Sequence, residues 1–425
     1  MSERLLFSVG CLVLLIVCMA VNKLYLKSDF IEPAMLFVTF WCLMIGIGIV
    51  VLNFNYSYSG LFYILVTCLM TFVITSPIKF FMLNISVKKK NIIFNVKRSR
   101  VILFITTLLG DAFAVVSLHS QGVSISQILD FSSLMNVNNQ VAVMRYSGTT
   151  QTGGIAQILL VFEYLAPIVG GYHAGSSNQK KEKRWGLISL TPTLFTMSTQ
   201  NTKSGWIAAV TLFIFSLIIA KILDNSFTRI KTKNVLSYFF IGVGMVILLF
   251  SSMILRVGEF SILLVQQLWT KFLVYAFGNV PVFDYWFNNR NITTFDYGSN
   301  TFLGIMNFLG IRNRAQGVYS TPVYVGNFSS NIYTVFRGCI QDFSIIGSIL
   351  FIVVLISLGC ISFLYLKNKR GIYINSFILL NVYFFIMQSF LISPWTYSSY
   401  MISLVLFIPY LMIVRNKYRD NKNKE

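Results

Sequence analysis

Apolar runs, most of them 17 to 24 residues long, recur along the whole of this 425-residue chain, and few folds can accommodate them. A run of that length can cross a hydrocarbon core about 30 Å thick as a helix. In lipid the backbone must satisfy its own N–H and C=O groups, which such a run does by coiling. The runs fall at 5–22, 34–52, 60–77, 101–118, 153–173, 186–199, 204–222, 235–254, 343–366, 372–392 and 399–414, eleven in all. With 56% hydrophobic and 11% charged residues, the chain reads as an all-α polytopic membrane protein. The first run lacks a small-residue cleavage site, so it reads as a retained span and not as a signal peptide.

Lysine and arginine orient these spans. Segments 23–33, 78–100, 176–184, 221–234, 367–371 and 415–425 hold 25 of the 34 cations. The positive-inside rule makes them cytoplasmic, and the same assignment leaves no Lys or Arg within a span. The net charge of +20 is therefore mostly an orientation signal, with clusters such as Lys88-Lys89-Lys90 and Lys183-Arg184 facing anionic headgroups. Each cluster flanks a span, so a nucleic-acid partner is excluded. The stretch 260–277 is apolar but broken by Gln266, Gln267, Thr270 and Lys271, and reads as an interfacial or re-entrant helix.

The chain thus divides into 1–254 with eight spans, a large extracytoplasmic loop 255–342 carrying short helices, and 343–425 with three spans and a basic tail. Five of the six cysteines lie inside apolar runs, which argues for small hydrophobes and not a disulfide framework. No phosphate-binding loop, zinc motif, nucleophile elbow or DxD pair is present, and no cofactor is expected. His119 and His173 fall at opposite ends of the membrane, against a histidine metal site. Asp111 and Glu163 are the carboxylates within spans, and each reads either as functional or as hydrogen-bonded between helices.

The long loop carries the run Val274-Tyr275-Ala276-Phe277-Gly278-Asn279-Val280-Pro281-Val282-Phe283-Asp284, then Gly298-Ser299-Asn300-Thr301-Phe302, then Ser330-Asn331-Ile332-Tyr333-Thr334, and last Gln341-Asp342-Phe343-Ser344-Ile345-Ile346-Gly347. In this order the pieces resemble the oligosaccharide repeat unit polymerases, the Wzy-type O-antigen and capsule polymerases of bacteria. The resemblance covers the long loop and the next span. Beyond them it rests on span count, loop placement and charge bias. It implies a metal-independent glycosyltransferase in the bacterial cytoplasmic (inner) membrane, building lipopolysaccharide O-antigen or capsule. Its substrate would be an undecaprenyl-diphosphate-linked oligosaccharide, and its partners the lipid bilayer, a chain-length regulator and a flippase.

Such a reaction needs cations for a diphosphate leaving group and a base for the acceptor hydroxyl. Arginine suits the first task because its fork matches phosphate oxygens. Arg337, Arg145 and Arg256 are the first candidates, with Lys203, Arg312 and Arg314 as further substrate contacts. Asp342 is the candidate base, with Glu259, Asp284 and Asp296 as alternatives. Asp342 could equally cap the ninth span, and the arginines could pair with outer carboxylates or anchor in headgroups. Tyr333, with Asn331 beside it, Trp286, Tyr285, Tyr297, Tyr319 and Tyr324 could stack on sugar faces or form an interfacial aromatic belt. Two rivals share the pathway. A ligase would use the same donor and a different acceptor, and a flippase would show shorter outer loops.

Overall fold

The computed structural model describes residues 3–26, 29–82, 92–124, 153–200, 202–224, 261–313 without 293, and 319–417 without 320, with scattered positions in 126–144 and 244–254. Among these, the protein is all-α with four three-residue strands. In chain order the longer elements are α1 (Glu3–Val21), α2 (Pro33–Val51), α3 (Ser59–Met82), β1 (Ile92–Phe94), α4 (Val96–Ser120), α5 (Gly154–Gly175), α6 (Lys180–Ile188), α7 (Thr191–Gln200) and α8 (Lys203–Leu223). There follow α9 (Ile262–Phe277), α10 (Asn279–Asn289), α11 (Leu303–Phe308), β2 (Val323–Val325), β3 (Phe328–Ser330), α12 (Thr334–Lys367), α13 (Ile372–Gln388), α14 (Ser398–Val414) and β4 (Arg415–Lys417).

Seven helices, α1 to α5, α8 and α12, are long and apolar enough to cross a membrane, and α9, α13 and α14 are shorter apolar helices. Large side chains stand exposed along α1, α3, α4 and α12, among them Ile16, Phe62, Phe104 and Leu350, as expected of surfaces that meet lipid. This is a multi-pass membrane protein. The expected span 186–199 is instead two short helices of 9 and 10 residues, parted at Ser189-Leu190 just before Pro192. Neither reaches across a bilayer alone at 1.5 Å per residue. Most of the expected span 235–254 lies outside the described residues. The ninth span begins close to its expected place, because α12 breaks at Ser344 (φ 70°, ψ 177°) into a ten-residue helix and a membrane-length one.

The chain forms two compact units. One comprises 1–85, 244–364 and 385–398, and the other 86–243, 365–384 and 399–425. In the first, α1 and α3 flank α2, whose Trp41 donates to Ser389 Oγ at 3.1 Å. The long loop belongs to this unit, with α10 seated against α2 and α3. In the second, α5 packs on α8 through glycine, since a Cβ at Gly171 would lie 2.0 Å from the Phe213 carbonyl oxygen and one at Gly175 2.4 Å from that of Leu217. Small residues that let backbones approach are a common basis of helix association in lipid.

Charge closes one end of the second unit. Arg415, one of the tail cations, is buried and donates to Tyr172 Oη (2.8 Å), Ser176 Oγ (2.9 Å) and both Asp224 oxygens (2.7 and 3.1 Å). It is an internal ion pair and not a headgroup anchor. Glu163 and Asp111 each accept a hydrogen bond from the threonine-rich α7, from Thr196 at 2.5 Å and Thr191 at 3.2 Å respectively. All six cysteines are buried, and none is in a disulfide.

Candidate functional site

Some of the residues named from the long loop, Trp286, Tyr319, Tyr333, Arg337 and Asp342, lie in the first unit on or against the ten-residue helix that begins α12. Asp342 sits on its last turn, 1% exposed. Its Oδ1 accepts from Asn300 N (3.0 Å) and Asn300 Nδ2 (2.9 Å), and its Oδ2 from Thr301 N (2.6 Å). The loop it grips turns at Tyr297 (φ 44°) and Gly298 (φ 89°), the second being a position glycine adopts without strain. Asp296 N donates back to the Gln341 carbonyl at 3.0 Å, so helix and loop are tied at two points. The capping reading of Asp342 is thereby corrected. Ser344 Oγ accepts from Gly347 N at 3.2 Å and begins the membrane helix, while Asp342 fixes the loop. Both its oxygens are taken and buried, which leaves it poorly placed to collect a proton from an acceptor sugar.

Asp284 has the same kind of role. Buried on α10, it accepts at Oδ2 from Ser57 N (2.7 Å), Ser57 Oγ (3.1 Å) and Tyr58 N (3.0 Å), and at Oδ1 from Gly60 N (2.9 Å). Four donors on one carboxylate secure the start of α3, where Tyr58 holds a φ of 63°. A Cβ at Gly60 would come within 2.9 Å of Asp284 Cα, so this approach requires glycine. Of the three described carboxylates of the long loop, Asp296 is the accessible one. Its side chain is 43% exposed, with Arg312 Nη1 at 3.8 Å and Asn300 Nδ2 at 2.8 Å.

Arg337 occupies an aromatic box. Its Cζ lies 3.9 Å from the Tyr319 ring centre, 4.0 Å from that of Tyr333 and 5.3 Å from that of Trp286. The two tyrosine rings meet at 71°, with centres 5.3 Å apart. A hairpin positions them. β2 and β3 pair antiparallel through the two-residue turn Gly326-Asn327, with Gly326 at φ 62°. Asn331 Nδ2 donates to the Tyr319 carbonyl at 3.0 Å, and Tyr333 Oη to that of Thr321, so Asn331 and Tyr333 brace the box from behind. Burial drives the Tyr319 hydroxyl well above its ordinary pKa, and the Arg337 charge reverses only part of that rise.

The guanidinium Nε and Nη1 are buried without a hydrogen-bond partner among the described residues. Buried donors left unpaired cost about 1 to 3 kcal/mol each, more on a charged group. Rings solvate a cation by their faces but do not accept both N–H groups. The arrangement suits an anion that brings oxygens to those two nitrogens.

Several expected contributors are elsewhere. Lys203 opens α8 in the second unit. Arg145, Arg256, Arg314 and Glu259 lie outside the described residues. Three of the six aromatics named for sugar stacking, Tyr319, Tyr333 and Trp286, instead surround Arg337, whereas Tyr285, Tyr297 and Tyr324 are exposed at 50%, 82% and 73%. The spacing of four between Tyr333 and Arg337 was the local signal for this pairing. Searches against protein families, curated proteins and solved structures find no match to this chain.

Proposed function

We propose that this protein polymerises undecaprenyl-diphosphate-linked oligosaccharide repeat units into a surface polysaccharide at the outer face of the bacterial cytoplasmic membrane. The observation that carries the reading is Arg337, whose Nε and Nη1 are buried in an aromatic box without a hydrogen-bond partner among the described residues. In the proposed reaction an acceptor hydroxyl oxygen bonds to the anomeric carbon of the donor glycan. The bond from that carbon to the carrier diphosphate breaks, and its electron pair leaves with the diphosphate. Arg337 binds the oxygens on which this charge grows, where preorganised donors contribute most.

The hydroxyl proton needs an acceptor within reach. Asp296 fits better than Asp342, because it is exposed and already faces polar donors, whereas Asp342 is enclosed by the loop. Arg312 beside Asp296 supplies a second cation, and the exposed Tyr285, Tyr297 and Tyr324 offer faces on which sugar rings can stack. Cells lacking the gene test the reading by gel analysis of surface glycan. A single repeat unit on the final acceptor supports a polymerase, whereas loss of all attached glycan favours a ligase or flippase. Purified protein should also elongate lipid-diphosphate repeat units in the presence of chelator, and a requirement for a divalent ion would overturn the metal-independent scheme.

A further inference from the structure

We propose that the second compact unit holds a groove for one anionic phospholipid of the cytoplasmic leaflet. The groove encloses about 370 Å³ between α4 and α6, within the range of roughly 300–1,000 Å³ usual for ligand clefts. Val101, Phe104 and Leu108 line it from α4, and Trp185 and Ile188 from α6. These positions form one stripe on each helix by the spacing of three and four. One turn beyond the groove the same stripes carry Lys97 on α4 and Lys181 on α6, both exposed. Each wall of the apolar groove is thus continued by a cation one turn beyond its lining, and Arg100 and Trp185 belong to the lining itself.

The walls are fixed in place. Glu182 of α6 accepts from Arg100 of α4 and lies 2.9 Å from His173 Nε2 of α5, so three helices share one buried carboxylate. Burial alone would raise that carboxyl, but the bonds from Arg100 and His173 outweigh it and hold it below its ordinary range. Arg100 is therefore partly neutralised, and neither Lys97 nor Lys181 has a carboxylate partner among the described residues. Charge complementarity asks for a phosphate at this end of the groove.

Depth points to the same occupant. From Arg100 to Asp111, which closes the far end under a hydrogen bond from Thr191, the groove follows eleven residues of helix, about 16 Å at 1.5 Å per residue. That is close to one leaflet of a core about 30 Å thick. A tail reaching from a headgroup at the basic end stops near the mid-plane, as an acyl chain does. The inference does not depend on the polymerase reading, since it concerns the other unit and needs only the orientation given by the positive-inside rule.

Brominated lipids test it on the full chain in bilayers of phosphatidylcholine. The chain has six tryptophans, so the Trp185 signal is taken as the difference between the protein and Trp185→Phe. Brominated phosphatidylglycerol should quench that signal at a mole fraction roughly 25-fold below brominated phosphatidylcholine, at about a factor of five per cation. The double variant Lys97→Gln/Lys181→Gln, changed only at exposed positions, should lose this preference. Equal quenching by the two lipids, or an unchanged preference in the double variant, would overturn the proposal. Displacement by undecaprenyl phosphate at concentrations where added phosphatidylglycerol fails would assign the groove to the carrier and also overturn it.

Discussion

Replacing Asp342 with Asn separates a base from a clamp. The carboxylate accepts two hydrogen bonds at one oxygen and one at the other, all from Asn300 and Thr301. An amide has a single oxygen. Turned one way, its NH₂ faces Thr301 N–H; turned the other, it faces both donors of Asn300. The less costly orientation forfeits one charge-assisted bond, about 1.5–3 kcal/mol, and weakens the other two by removing the charge. The total is roughly 2 to 4 kcal/mol, a large share of the margin by which most proteins are folded. The cost should appear locally, as faster hydrogen exchange over 296–302 and a lower unfolding temperature in detergent, with polymer shortened in proportion to membrane abundance. Normal exchange, stability and abundance with no polymer would refute the clamp and restore Asp342 as the base.

Arg337→Ala should nearly abolish polymerisation, since deleted transition-state donors cost roughly 2 to 4 kcal/mol, while Arg337→Lys, which keeps the charge but not the fork, should retain part of it on a gel. Full-length polymer from both would remove Arg337 from the site. On a background lacking the native cysteines, a membrane-impermeant thiol reagent applied to intact cells should label Asn291→Cys but not Lys181→Cys, and the reverse pattern would invert the topology. The folded Glu182 carboxyl is held below its ordinary value of 4.5, so its stabilisation is fully present above that value and lost only as pH falls through the depressed one. Unfolding temperature should therefore show no Glu182-dependent change between pH 7 and 5, checked against Glu182→Gln, which should itself lower stability by about 1–3 kcal/mol.

Helices were legible wherever an apolar run was long and unbroken, because a spanning helix has no solution other than its own hydrogen bonds. The run 186–199 misled because hydropathy averages over a break: Ser189, Pro192 and the threonines of α7 leave enough Leu, Ile, Phe and Met to resemble a span. The stretch 260–277, with its polar interruptions, forms α9, a 16-residue apolar helix of nearly the same length as α13 and α14. In the site, arginine as the anion-seeking type could be read from chemistry, and so could its neighbour Tyr333. The partners of Asp342 could not. They sit 41 and 42 residues upstream, joined to it only by folding, and a carboxylate next to a helix start suggests a cap until the loop that uses it is seen.

Backbone strain at the two ends of the ten-residue helix strengthens the case for Arg337. Thr334 at its start and Ser344 at its end both have φ near 70°, and neither is glycine. For a β-branched residue such as Thr334 this conformation is rare, and such residues cost of order 1–3 kcal/mol each unless their surroundings impose them. Here the surroundings do. Val335 N donates to the Ser389 carbonyl at 2.8 Å at one end, and Asp342 holds the loop 296–302 at the other. A helix needed only as a spacer before the membrane span would relax Ser344 by continuing straight into it. Keeping the break sets the short helix apart from the span and fixes the direction in which Arg337 projects. Burial of Nε and Nη1 without a partner among the described residues adds to the cost of holding Arg337 there, a cost that phosphate oxygens would relieve in the proposed reaction.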